Sequence, residues 1–121
     1  MILNSKLELI SVCEHLHYGI STTQTYYENY LQRLSSGNSE VLRKVVDNLE
    51  YIVLALSRVE KMLCNDSPNM FSAYNELDKL YTRIISNQFV PGAIRATVYE
   101  IHYELKRLLY GEPERDPLKV F

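Results

Sequence analysis

Apolar residues recur three and four positions apart through most of this chain, which is the periodicity of one face of an α-helix. The pattern is longest between Ser39 and Cys64, where seven positions follow it without a break: Leu42, Val45, Leu49, Ile52, Leu56, Val59 and Leu63. Val46 and Val53 widen this stripe to an arc of roughly 140°, which is broader than contact with a single helix requires. We therefore predict a long helix from about Ser39 to Cys64 that packs against several neighbours.

The segment before this helix predicts two shorter helices. Ser5 and Glu8 have the spacing of a capping box and mark the start of the first helix. Gly19, followed by the capping residue Ser21, predicts an end and a new start, and the second helix ends by Gly37. Since two such helices can stack as one broken rod, we count them as one long element with a break near Gly19 to Ser21.

The segment after the long helix also predicts two helices. The first follows a turn at Asn65 to Pro68 and ends near Gln88. Pro91 and Gly92 then precede the last helix, which ends at Gly111, a natural left-handed cap.

Connections of a few residues force successive helices to run antiparallel. The predicted fold is therefore all-α, an antiparallel up-down helical bundle of four long elements, the first of them broken, which makes five helices. Residues 1–111 form the bundle domain, and residues 112–121, which contain Pro113 and Pro117, form an extended C-terminal tail.

Composition and charge narrow the class of protein. The 121 residues include 46% hydrophobic residues and carry a formal net charge of −2, so the overall charge does not favour nucleic-acid binding. The longest apolar run, residues 52–56, is far shorter than the ~20 residues of a membrane span. Lys6 and Glu14 also interrupt what would be the apolar region of a signal peptide. We expect a cytoplasmic protein, or an intravirion one if the source is viral, with no membrane contact.

The two cysteines, Cys13 and Cys64, form no CxxC pair, which favours buried thiols in a reducing compartment over a disulfide. Cys13 and His17 have the four-residue spacing of ligands in helical zinc sites, but a structural zinc site needs about four ligands. We therefore predict a core cysteine beside a surface histidine, with no metal and no cofactor.

The last predicted helix carries a stripe that could support chemistry. Five residues fall within an ~80° sector beside its apolar face: Arg95, Tyr99, His102, Lys106 and Tyr110. A histidine exchanges a proton near neutral pH and an arginine binds a phosphate through two hydrogen bonds, a combination sufficient to cleave RNA through its 2′-hydroxyl. The alternative is a solvated edge, where the stems of such side chains cover apolar surface.

Arg95 and His102, with six residues between them, resemble the Arg-spacer-His motif of HEPN domains, which are small helical bundles. The resemblance implies a metal-independent ribonuclease whose site is composed across a dimer, or a non-catalytic partner of a nucleotidyltransferase in a toxin system. In the enzyme, His102 would act as general base or acid and Arg95 would bind the scissile phosphate, while Tyr99 or Lys106 would hold RNA. Ala96 stands where the family commonly has a polar residue.

The chain contains 10 tyrosines and no tryptophan. Tyrosine supplies a large rigid contact area with a polar tip, which suits half-buried interfaces. Tyr51 and Leu54 fall on the polar face of the long helix, out of reach of the core if that helix is straight, and Met62 lies near the same side. The interface candidates are therefore Tyr51, Leu54, Met62, Tyr99, Tyr103 and Tyr110.

The leading prediction is a non-enzymatic interaction or assembly module that forms a homo-oligomer, most simply a dimer, or docks on a protein partner through apolar stripes and Tyr-rich edges. The alternative is the HEPN-like ribonuclease or toxin-system partner. A small DNA-binding regulator is a further alternative, against which the equal acidic and basic counts of residues 92–121 argue. Whether the chain is an enzyme stays open at this stage, and nucleic acid is not the partner that we expect.

Overall fold

The computed structural model describes residues 2–37 and 39–111. For residues 2–5 it describes the backbone, and from residue 6 it describes the side chains as well. These residues form four α-helices and no strand: α1 (Ile2–Ser35), α2 (Glu40–Leu63), α3 (Met70–Ile84) and α4 (Gly92–Tyr110). The prediction of an all-α chain is confirmed. The tail predicted for residues 112–121 lies outside the described residues.

Two capping hydrogen bonds and one glycine mark where α2 and α3 begin and where α4 ends. The Ser39 side chain caps α2 by accepting a hydrogen bond from the backbone N–H of Leu42 at 3.2 Å. Asn69 caps α3 in the same way, accepting from the N–H of Ser72 at 3.1 Å. Gly111 ends α4 with a φ of 80°, a conformation that favours glycine, as predicted.

The predicted break near Gly19 to Ser21 is wrong, because α1 runs through it as one continuous helix of 34 residues. A Cβ atom at Gly19 would lie 3.0 Å from Cδ1 of Ile101 and 3.3 Å from Cγ2 of Thr97. The glycine therefore lets α4 approach α1 closely and does not end the helix. The hydroxyl of Thr23 donates to the Gly19 carbonyl at 2.6 Å within α1, and the predicted capping residue Ser21 lies inside the same helix. The described residues thus form four helices and not the predicted five.

Each helix packs against the next one along the chain, and α4 packs against α1, so the four helices form a ring. Neighbouring helices run antiparallel. Along α1 and α2, Cys13 lies beside Cys64 near one end while Tyr27 bonds to Glu50 near the other. The same reversed order appears between α1 and α4, and between α3 and α4, in these pairs: His15 with Glu104, Gly19 with Ile101, Tyr74 with Tyr110, and Tyr81 with Tyr99.

The core lies along the ring's axis, and α2 supplies its largest share. Six of the seven apolar positions predicted for this helix are buried, and Leu42, at its N-terminal end, is half-buried. Val12 and Leu16 of α1, with the apolar stripes of α3 and α4, complete one continuous cluster. The long helix predicted from the apolar pattern is therefore the central element of the fold.

Cys13 and Cys64 are joined by a disulfide, with their Cα atoms 5.9 Å apart, so the expectation of two free buried thiols is wrong. The antiparallel packing of α1 on α2 brings these positions together across a sequence separation of 51. A Cα separation of this size is common in disulfides. The pairing depends on how two helices pack, and the spacing of the cysteines in the sequence does not show that.

Candidate functional site

A row of seven aromatic side chains runs along the groove between α3 and α4. Neighbouring ring centroids lie between 4.7 and 6.4 Å apart, within the range of favourable aromatic contacts. We call these residues the aromatic row; in order of contact they are Phe71, Tyr110, Tyr74, His102, Tyr81, Tyr99 and Tyr103. Spacings of three and seven residues place Phe71, Tyr74 and Tyr81 on one side of α3. On α4, His102 faces α3, while the tyrosines of the row extend it toward the outward side of that helix.

His102 is the buried centre of the aromatic row, with 8% of its surface exposed. Its ring stacks on Tyr74 at 5.2 Å and on Tyr81 at 4.7 Å. Since Tyr74 and Tyr81 are two helical turns apart, ~10.5 Å along α3, they cover opposite faces of the imidazole. The Nε2 atom of His102 is hydrogen-bonded to Oδ1 of Asp78 at 2.9 Å. These contacts hold the ring in one orientation and leave little of it open to a ligand.

The hydroxyl of Tyr74 lies in a setting that opposes its ionisation. Burial is the largest cause of a raised pKa for Tyr74, and the negative charges of Asp78 and of an ionised Tyr110 add to it. The phenol of Tyr74 therefore stays neutral to higher pH than an exposed tyrosine, and it packs against the neighbouring rings without a charge.

The outer parts of the aromatic row are exposed to solvent. Phe71, Tyr99 and Tyr110 are 62%, 48% and 61% exposed, and Ile85, 49% exposed, lies at the same edge because its carbonyl accepts a hydrogen bond from Arg95. These exposed side chains lie along the edge of the molecule where α3 and α4 meet, which we call the α3/α4 edge. Single exposed apolar residues are normal on any protein, and this edge carries four of them.

The outward side of α4 repeats the spacing of its buried side. The buried stripe contains Ile94, Val98, Ile101 and Leu105. A second set on the outward side is also spaced three and four apart, and we call it the outer stripe: Ala96, Tyr99, Tyr103, Lys106 and Tyr110. Three of these five residues are tyrosines, so aromatic side chains recur at helical spacing on the side of α4 that lies away from its buried stripe.

The predicted catalytic pair lies on the α3 side of α4, with its two members separated along the helix axis. Arg95 and His102 are two turns apart, ~10.5 Å in rise. Arg95 is half-buried, with Nη1 3.5 Å from the Ile85 carbonyl, and its Nε is buried with no hydrogen-bond partner among the described residues. Tyr99, which lies between Arg95 and His102, contacts Tyr81 of α3. Lys106, one turn beyond His102, is exposed.

The interface candidates on α2 are less exposed than the sequence suggests. Tyr51 is half-buried against the core, with the Arg83 guanidinium 3.9 Å from its ring centroid, and Met62 is half-buried as well. These contacts arise because α3 packs along this side of α2. Leu54 alone of the three is fully on the surface, at 54% exposure.

The histidines of α1 form ion pairs with single carboxylates. His15 pairs with Glu104 at 2.7 Å, and His17 pairs with Glu60. In the part of the chain that the structure describes, no three His, Cys, Asp or Glu side chains lie together as metal ligands would. Nor does any helix there combine the length and apolar character that crossing a bilayer requires.

Comparisons with protein-family models, with curated proteins and with solved structures each gave no match. The function must therefore be inferred from the chain's own residues.

Proposed function

We propose that this chain is a non-enzymatic assembly module that self-associates through its α3/α4 edge. The observation that carries the proposal is the aromatic row, which combines a stacked centre at His102 with exposed rings on either side of it, Phe71 and Tyr110 toward one end and Tyr99 toward the other. Aromatic residues are enriched in the centres of protein interfaces, and each contributes ~150–250 Å² of contact area at small cost in conformational entropy.

The outer stripe favours a second copy of the chain as the partner. A dimer with two-fold symmetry needs a surface that is complementary to itself. If two α4 helices pair antiparallel about Tyr103, the midpoint of the outer stripe, the small Ala96 of each copy faces the bulky Tyr110 of the other. Such an alternation of small and large side chains lets two helices approach closely and pack without voids. Lys106 can extend its charged end beyond the contact to water.

The surroundings of His102 support a structural role for it within this surface. Its ring is covered on both faces and its Nε2 is occupied by Asp78, so it holds Tyr74 and Tyr81 in place. An interface needs such rigid support, because a preformed surface loses less conformational entropy on binding.

Molar mass measured by size-exclusion chromatography with light scattering, over micromolar concentrations, tests the proposal. We expect a dimer, and we expect Tyr103→Glu to give a monomer because it would bury two like charges at the centre of the interface. The matched control is Tyr18→Glu on α1, where the tyrosine is 65% exposed and lies outside the aromatic row. It should leave the dimer intact, and circular dichroism should show the same helix content in both variants. A wild-type protein that stays monomeric throughout, or an equal response of the two variants, would reject self-association.

A HEPN-like ribonuclease is the second candidate. The pairing of His102 with Asp78 favours it, because a carboxylate often orients a histidine that acts as general base. RNA cleavage without added metal that is lost in His102→Ala, with the helix content unchanged, would establish the enzyme. The assembly proposal expects no cleavage above background by either protein.

A further inference from the structure

A cleft of about 770 Å³ opens at one end of the bundle, where the first half of α1, the end of α2 and the start of α3 meet Leu108 of α4. Its lining includes apolar side chains such as Leu9, Leu63 and Met70, and charged ones of both signs such as Lys6 and Asp66. The volume falls within the ~300–1,000 Å³ typical of small-molecule sites. The cleft shares no residue with the aromatic row.

The Cys13–Cys64 disulfide forms part of the wall of this cleft. Both cysteines are partly exposed, so a molecule in the cleft can approach a sulfur atom from solvent. Exposed disulfides are the ones that take part in exchange, whereas buried structural disulfides resist reduction.

An ion pair lies one helical turn from the disulfide on both helices. His17 follows Cys13 by four residues on α1, and Glu60 precedes Cys64 by four residues on α2, a spacing that puts Cβ atoms ~5–6 Å apart. His17 pairs through Nδ1 with Glu60, lines the cleft, and has 61% of its side chain exposed. Glu60 thus orients the imidazole and leaves Nε2 available for proton transfer.

We propose that the Cys13–Cys64 disulfide is a thiol-exchange site for a small thiol compound bound in the cleft. The thiolate of the compound attacks Sγ of Cys64, forming a mixed disulfide and breaking the bond to Cys13. The departing Cys13 thiolate takes a proton from the imidazolium of His17, its neighbour one turn away. A second molecule of the thiol then attacks the mixed disulfide, which releases the oxidised disulfide compound and leaves Cys64 reduced. Two thiols thereby supply the two electrons that reduce the protein disulfide.

The charged groups of the lining indicate the class of thiol. Lys6 can bind a carboxylate, while Glu14 and Asp66 can bind an amino group. A zwitterionic peptide thiol offers both groups together with a nucleophilic sulfur, so glutathione is the probe for the experiment.

The test measures thiol release from the native protein mixed with reduced glutathione, and the mass of any protein–glutathione adduct. We expect an adduct and then full reduction while the helix content persists. His17→Ala should slow the reaction on the order of threefold to tenfold, because the departing thiolate loses the cation that favours it. His15→Ala is the matched control: it removes a histidine–carboxylate pair on the α4 side of α1, and it should leave the rate unchanged.

Peptide mapping of the mixed disulfide formed by the native protein and reduced glutathione identifies the sulfur that is attacked. We expect glutathione on Cys64 and a free thiol at Cys13, because His17 favours Cys13 as the departing thiolate. A disulfide that survives millimolar glutathione until the protein is denatured would overturn the proposal. Equal slowing by His17→Ala and His15→Ala would overturn it as well, since His17 would then act only through the stability of α1.

Discussion

Tyr74 shows how the aromatic row changes the chemistry of a single side chain. Burial of its hydroxyl removes water that would stabilise the phenolate, and the negative charge of Asp78 repels it, so both disfavour ionisation. The raised pKa of Tyr74 means that folding favours the neutral form, so the stabilising contribution is complete below the unfolded value of about 10 and is lost as the pH rises through the folded value.

An alkaline titration followed by phenolate absorbance checks this account. In the wild-type protein Tyr74 should titrate late, and so should Tyr27, because a hydrogen bond to Glu50 raises the pKa of Tyr27. Tyr74→Phe should remove one late component and Tyr27→Phe the other. If Tyr74→Phe leaves the high-pH part of the curve unchanged, the description of the row's centre is wrong.

Helical spacing alone predicts that five residues share one sector of α4: Arg95, Tyr99, His102, Lys106 and Tyr110. It did not predict that His102 is buried, since its covering rings and its carboxylate partner come from α3. Helical periodicity shows which residues share a face, but not which residues of another helix cover them.

α1 shows the corresponding limit for a whole element. A glycine followed by serine and threonine residues is typical of a helix end and a new cap, and the sequence predicted a break there. The structure uses Gly19 for the contact with α4, and the hydroxyls of Thr23 and Thr25 bond back to carbonyls of α1. A glycine that is needed for close contact with a distant helix therefore looks, in the local sequence, the same as a glycine that ends a helix.

Gly19→Val should therefore destabilise the protein, by ~1–3 kcal/mol, because the added methyl groups would overlap Ile101, which is 1% exposed and cannot move into solvent. The same substitution at Gly92 is the control, since the nearest atom to a Cβ there is the flexible Nη2 of Arg95 at 3.8 Å. Urea denaturation of the two variants measures the difference. Equal stability of both would show that α1 and α4 do not meet closely at Gly19.

The arrangement of the whole molecule follows in part from its short connections. Antiparallel neighbours and a central α2 were predictable, because short loops reverse the chain and a wide apolar stripe needs several partners. Which side of each helix meets which neighbour was not predictable from periodicity. For that reason the aromatic row between α3 and α4 and the disulfide between α1 and α2 both emerge only from the packing of the ring.

If two copies pair through α4 as proposed, Tyr103 of each lies at the two-fold axis, where a cysteine can be cross-linked to its partner. In a background of Cys13→Ser and Cys64→Ser, Tyr103→Cys places one thiol per chain at the proposed axis, and Tyr18→Cys places one on the outer side of α1. Under mild oxidation we predict that the Tyr103→Cys protein forms a covalent dimer rapidly, at concentrations where the Tyr18→Cys protein does not. Equal cross-linking of the two proteins, or none at position 103, would contradict the proposed assembly.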